Sequence, residues 1–177
     1  MKQLVFFAVL SLALSACTGK VKPAYASNEA ETSVAQGPSF ELDDLLAVAD
    51  QHVDKTVTVV GYVTHTCKHA GKRCFIVGES QKASLRVEAK GEIGGFNREL
   101  VGSKLAITGE LKERRLSQEY IAQAEEDVKL KKEAGEDSEA CESELRNISD
   151  MRKWMKENNK NYYVIYYMDG LSFEVLD

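Results

Sequence analysis

Two imidazoles and two thiols lie within ten residues of one another: His65, Cys67, His69 and Cys74, in the order His-x-Cys-x-His-x4-Cys. Thiolate with imidazole is the ligand set of zinc and copper sites, so a tetrahedral Cys2His2 centre is one chemistry this pattern admits. A second is a plain disulfide between Cys67 and Cys74 that staples the turn between them, and a third is a pair of reduced or redox-active thiols. The spacing differs from the common zinc patterns, in which C-x2-C is joined by a distant second couple, and it lacks the C-x-x-C of thiol oxidoreductases. An oxidising compartment would favour the disulfide. Lys68, Lys72 and Arg73 crowd the same stretch, giving a local basic patch that suits an anionic ligand or simply a solvated turn.

Nothing else in the chain has the spacing of a reaction centre. There is no Ser-His-Asp order, paired catalytic carboxylates, phosphate-binding glycine loop or H-E-x-x-H motif, so the expectation is a protein that binds rather than catalyses. Cys141 lies at helical spacing with Leu145, Ile148 and Met155, which marks it as a small core residue. Trp154 stands near Tyr162, Tyr163, Tyr166 and Tyr167. Alternation sends Tyr163 and Ile165 to one side and Tyr162, Val164 and Tyr166 to the other, so these rings read mostly as core or helix-packing residues.

The elements that must position the His/Cys cluster are readable on either side of it. Phe40, Leu42, Leu45, Leu46, Ala49 and Val53 recur at helical spacing and predict a helix over about 40–52, with Ser39 as its N-cap. Thr56 to Cys67 alternates with a period of two in β-branched residues, a long strand with Gly61 at its middle. Residues 73–78 and 83–89 are shorter strands, 92–101 can hold a helical turn, and 104–113 alternates again. If Cys67 ends the first strand and Cys74 begins the second, the two sulfurs should face each other across a hairpin. Residues 117–133 and 138–158 are rich in Glu, Lys and Ala and predict two helices joined at Gly135. The chain closes on one or two strands over 162–175, folded about an Asp169-Gly170 turn.

The first residues constrain where this chemistry would operate. Lys2 precedes an apolar run from Leu4 and small residues before Cys17, the layout of a secretory signal peptide spanning 1–16. Leu14-Ser15-Ala16-Cys17 resembles the bacterial lipobox, which implies a lipid-modified Cys17 (palmitate among its acyl groups) and anchoring to a membrane. Thr18 follows, with no aspartate to suggest inner-membrane retention, so the resemblance implies an outer-membrane lipoprotein facing the periplasm. Residues 18–38 hold both prolines and no apolar period, which predicts a flexible tether. Without Lys2 the mature chain would carry 22 basic against 28 acidic side chains. An acidic protein held outside the cytoplasm is not expected to bind nucleic acid.

About 140 residues remain for one domain, 39–177, large enough for a real core. Five principal strands with a helical segment between the third and fourth resemble the OB-fold, a small, partly open Greek-key barrel. The stretch VGYVTHTCKHAGKRCFI is similar to periplasmic OB-like lipoprotein domains whose function is mostly unassigned. The expected architecture is therefore mainly β with α: a five-stranded OB-like barrel, an N-terminal helix, and a two-helix insertion at about 117–158 before the last strand. The resemblance implies a lipid-anchored binding module for a small ligand, metal ion or envelope protein, making contact through the loop between the first two barrel strands. Metal handling (zinc or copper) or thiol redox at Cys67 and Cys74 with His65 and His69 is the alternative, and a scaffold role for the inserted helices is another.

Overall fold

The structure is a computed structural model, and it describes residues 37–68 and 71–176. The expected signal segment, Cys17, nearly all of the tether and His69 lie outside the described residues. In chain order the elements are β1 (Ser39–Glu41), α1 (Leu42–Ala47), a 3-10 turn at Ala49–Gln51, β2 (Thr56–Thr66), β3 (Arg73–Val77), β4 (Ser84–Ala89), a 3-10 turn at Arg98–Leu100, β5 (Lys104–Ser117), α2 (Gln118–Glu133), α3 (Ser138–Glu157) and β6 (Tyr162–Leu176). No helix among the described residues is long and apolar enough to cross a membrane.

Alternation along β2 turns Val57, Val59, Gly61 and Val63 inward, and β5 answers with Leu105, Ile107, Gly109 and Leu111. These strands run antiparallel from Thr56↔Glu110 to Tyr62↔Lys104. The remaining ladders, β2–β3, β3–β4, the parallel β4–β6 and the antiparallel β5–β6, complete a circuit β2-β3-β4-β6-β5 that returns to β2. This is the expected five-stranded, OB-like barrel, closed rather than partly open, with β1 added as a short parallel strand beside β2. Its core joins Val57, Val59, Ile76, Leu85, Val87, Leu105, Ile107, Leu111 and Met168, all fully buried. Each such side chain contributes about 1.5–3 kcal/mol of burial.

Both barrel mouths are plugged. At one end α1 inserts Leu42 and Leu45, and Asp43 pins it to the β3–β4 turn by accepting bonds from the Ser80 amide (3.0 Å) and hydroxyl (2.7 Å). Those two bonds hold the Asp43 carboxyl below its usual range. At the other end Ile93 and Phe96, from the β4–β5 connection, fill the opening. The insertion and the neighbouring ends of β5 and β6 carry a second apolar cluster. Leu116, Ile121, Val128, Cys141, Ile148 and Met155 make their own apolar cluster, so Cys141 is the core residue its helical spacing predicts. Ser117 and Asp137 cap α2 and α3 by accepting backbone N–H bonds, and Gly135 turns the chain between them at φ +81°.

Three expectations need correction. Ser39 does not cap a helix: it pairs with Thr58 in β1, helix α1 starts three residues later, and the predicted 40–52 helix is split into strand, helix and 3-10 turn. The ladder to β2 captures the residues that periodicity alone assigns to a first helical turn. The predicted turn at Asp169-Gly170 is absent, because β6 runs unbroken beside β5 from Ser117↔Tyr162 to Lys104↔Leu176. Leu171 instead forms a bulge there, between Gly109↔Gly170 and Thr108↔Ser172. The third correction concerns Cys67 and is described with the site.

A Cβ on Gly109 would lie 2.5 Å from the Asp169 carbonyl oxygen and 2.8 Å from Gly170 Cα, both backbone atoms that cannot swing aside. Gly109→Ala is therefore expected to lower unfolding stability in urea by about 1–3 kcal/mol, the range of overpacked cores. Gly94→Ala, where an added Cβ meets nothing within 4 Å, is the control and should stay within about 0.5 kcal/mol of the parent. Equal effects at the two positions would contradict the bulge geometry.

Candidate functional site

The end of β2 sets the geometry of the His/Cys cluster. The register passes from Val63↔Ile76 to His65↔Phe75, so Thr64 is an extra residue and the strand carries a bulge. Thr64 and His65 both face solvent, and Thr66 returns inward, 3% exposed, opposite the fully buried Cys74. Cys67, one residue on and half-buried, follows the alternation outward, with its amide bonded to the Arg73 carbonyl at 2.9 Å.

The expectation that the sulfurs of Cys67 and Cys74 face each other is thus overturned. One bulge residue reverses the parity of the strand, so Cys74 points into the core and Cys67 away from it. Both are free thiols, as is Cys141. Burial pushes the Cys74 thiol up to about 12, which keeps it protonated and unreactive. His65 and Cys67 do share the outer face, but no group of three or more His, Cys, Asp or Glu among the described residues could hold a metal ion.

The basic loop is spoken for in part. Lys72 Nζ donates to the Gly94 carbonyl at 2.7 Å. Arg73 Nε lies 2.9 Å from the Glu88 carboxylate, which also meets Arg86 Nε at 3.1 Å. Gly71, at φ +58°, accepts a bond from the Phe96 amide at 2.6 Å, so the loop is laid against the plug of the barrel mouth. Lys68 is exposed.

What the strand ladders build instead is a row. His65 pairs with Phe75, Phe75 with Arg86, Arg86 with Tyr167 and Tyr167 with Lys112, so five side chains from five strands stand side by side on the outer face of the barrel. The His65 and Phe75 rings are 6.0 Å apart, and the Arg86 guanidinium sits 5.1 Å from the Tyr167 ring. Phe75, Arg86 and Tyr167 are half-buried, held by their neighbours with one flank open. The helical hairpin does not cover them: it packs on Leu116, Tyr163 and Ile165, farther along β5 and β6.

Sequence reasoning reached His65 and the loop but missed Phe75, Arg86 and Tyr167. Alternation in RCFIV and SLRVEA marks Phe75 and Arg86 as outward, yet only the parallel β4–β6 register brings Tyr167 beside them. In native protein Ellman's reagent should label Cys67 and spare Cys74 and Cys141, all three reacting only after unfolding. Rapid native labelling of Cys74, located by peptide mapping, would contradict its inward placement.

No known protein family matches the chain, and no curated protein matches it. One solved structure that aligns with it is that of a protein described as an aspartyl-tRNA synthetase from Leishmania major Friedlin, at 12% identity and a TM-score of 0.38, covering 83% of this chain and 22% of that one. The chain spans about a fifth of that protein's length, and a likeness so slight transfers neither fold nor function.

Proposed function

We propose that this chain is a non-catalytic binding module, held at an envelope membrane by lipid on Cys17, that grips an acidic, extended segment of an envelope protein across the outer face of β3, β4 and β6. The observation that carries this reading is the cross-strand row His65, Phe75, Arg86 and Tyr167. Tyrosine and arginine dominate the energetics of protein interfaces, because each combines a broad flat contact with a polar end. Arg73 and Arg86 share one carboxylate, Glu88, so the β3–β4 end of the row holds two guanidinium groups against one carboxylate, while Asp169 and Glu110 lie toward its β6–β5 end. An acidic segment would meet its cationic partners at the two guanidinium groups of β3 and β4.

Metal or thiol handling is the weaker reading. It would have to run through Cys67 and His65 alone among the described residues, since Cys74 lies in the core.

A benzophenone amino acid at position 75 should give discrete protein adducts in intact cells. Arg86→Glu should cut the yield about tenfold, the effect of losing roughly 1.4 kcal/mol of binding. Adducts that survive Arg86→Glu, or that form equally from an exposed position such as Lys129 on α2, would defeat the proposal. For the anchor, Cys17→Ser should abolish incorporation of labelled fatty acid and release the protein from the membrane fraction. Unchanged labelling would remove the lipid from the reading.

A further inference from the structure

Beyond Glu110 on β5 and Tyr167 on β6 the two strands lose their other partners, because β2 ends at Thr56↔Glu110 and β4 pairs no farther than Arg86↔Tyr167. They continue to Ser117↔Tyr162 as a two-stranded arm. The helical hairpin packs on one face of the arm through Leu116, Tyr163 and Ile165. Alternation sends Glu113, Arg115, Tyr162, Val164 and Tyr166 to the opposite face, toward α1 and the 3-10 turn that follows it. Between this face and the 3-10 turn lies a cleft of about 620 Å³, whose lining includes Asp50, Glu113, Arg115, Tyr162 and Tyr166, with Trp154 of α3 at its border, where its ring also meets Tyr163 edge-on at 5.3 Å. That volume falls within the range of small-ligand sites.

The lining selects among ligand classes. Its charges come close to balancing, with Asp50, Asp54 and Glu113 against Arg115 and Lys160; Arg115 Nη2 meets Glu113 Oε1 at 2.6 Å, and Asp54 is met by Lys112, from outside the lining, at 3.0 Å. Arg115 and Lys160 also lie 4.6 and 5.9 Å from the centroid of the Tyr162 ring. With both signs of charge present and a net charge of only about −1, an ion of either sign would meet repulsion as well as attraction, and a purely apolar guest would strip water from charged groups without replacing it. A neutral polyhydroxylated ring satisfies both conditions. Its C–H face packs on an aromatic ring, and its hydroxyls bridge carboxylate, guanidinium and amide groups such as Asp50, Arg115 and Asn158. Burial, reinforced by the carboxylates of Asp50 and Glu113, pushes the Tyr166 phenol up, so its hydroxyl stays a donor.

We propose that this cleft binds a neutral carbohydrate of one or two rings, stacked on the Trp154, Tyr162 and Tyr166 walls and hydrogen-bonded by Asp50, Glu113 and Arg115. The site is separate from the row on the barrel face and stands or falls without it.

Trp154 is the only tryptophan in the chain, so its emission reports on the cleft directly. Purified full-length protein titrated with cellobiose and with N,N′-diacetylchitobiose should give a saturable change in emission for at least one of them, with a Kd on the order of 1 mM. Arg115→Ala, at an exposed position on the arm, and Tyr162→Ala should each weaken that binding at least tenfold while leaving the circular dichroism spectrum intact. The proposal is overturned if neither sugar gives a saturable response up to about 50 mM, well past the affinity expected of so small a ligand, or if both variants bind as the parent does. A response to spermidine or inorganic phosphate in place of the sugars would also overturn it, because it would mean that the cleft reads charge.

Discussion

Everything in this molecule depends on the pairing of β2 with β5. Without the run of partners from Thr56↔Glu110 to Tyr62↔Lys104, the other ladders would form an open curled sheet with two unsatisfied edges, and its inner face could not be sealed from water. Closure forces backbone segments into contact at Gly61 and Gly109, where a side chain would strike the Val77 or Asp169 carbonyl. It also fixes the inward set, Val57, Val59, Leu105 and Ile107, on which the apolar plugs from α1 and from Ile93 and Phe96 can seat. Against this core the many exposed ion pairs are minor, since each such pair is worth roughly 0–1 kcal/mol.

The closed barrel leaves only its outside and its ends free to meet a ligand. Its interior is filled, so any ligand must be met on the outer surface or beyond the ends of the strands. The two proposed sites use those two options. One uses the cross-strand neighbours that every ladder creates. The other uses the arm formed where β5 and β6 outrun their partners, buttressed by a hairpin with its own apolar core and a bridge from Arg152 to Glu125 at 2.8 Å.

Much of the barrel could be read from the sequence, because alternation in TVTVV, RCFIV, SLRVEA and KLAITG is the direct imprint of a wall with one wet and one dry face. The helical hairpin was equally legible, from its composition and from Gly135. Three features were hidden, each for a physical reason. The bulge at Thr64 leaves no mark such as a glycine, yet it shifts one sulfur of the Cys67 and Cys74 pair to the other face. Asp169-Gly170 has the composition of a tight turn, but Gly170 is small because Val87 Cγ1 would lie 2.8 Å from a Cβ there. Arg86 and Tyr167 are 81 positions apart in the chain, and local patterning carries no information on a parallel contact of that separation.

The role of β6 as the strand lying between β4 and β5 has a kinetic consequence. Four of the five barrel strands are in hand before the helical hairpin begins, yet the gap between β4 and β5 persists until the final segment arrives. Closure thus waits for contacts of long sequence separation, whose loop entropy must be met before the ladder repays it, and such topologies fold slowly. The hairpin shortens that search. Two helices packed side by side bring Ser117 and Tyr162 together, a pairing from which β6 can zip along β5 into the waiting gap.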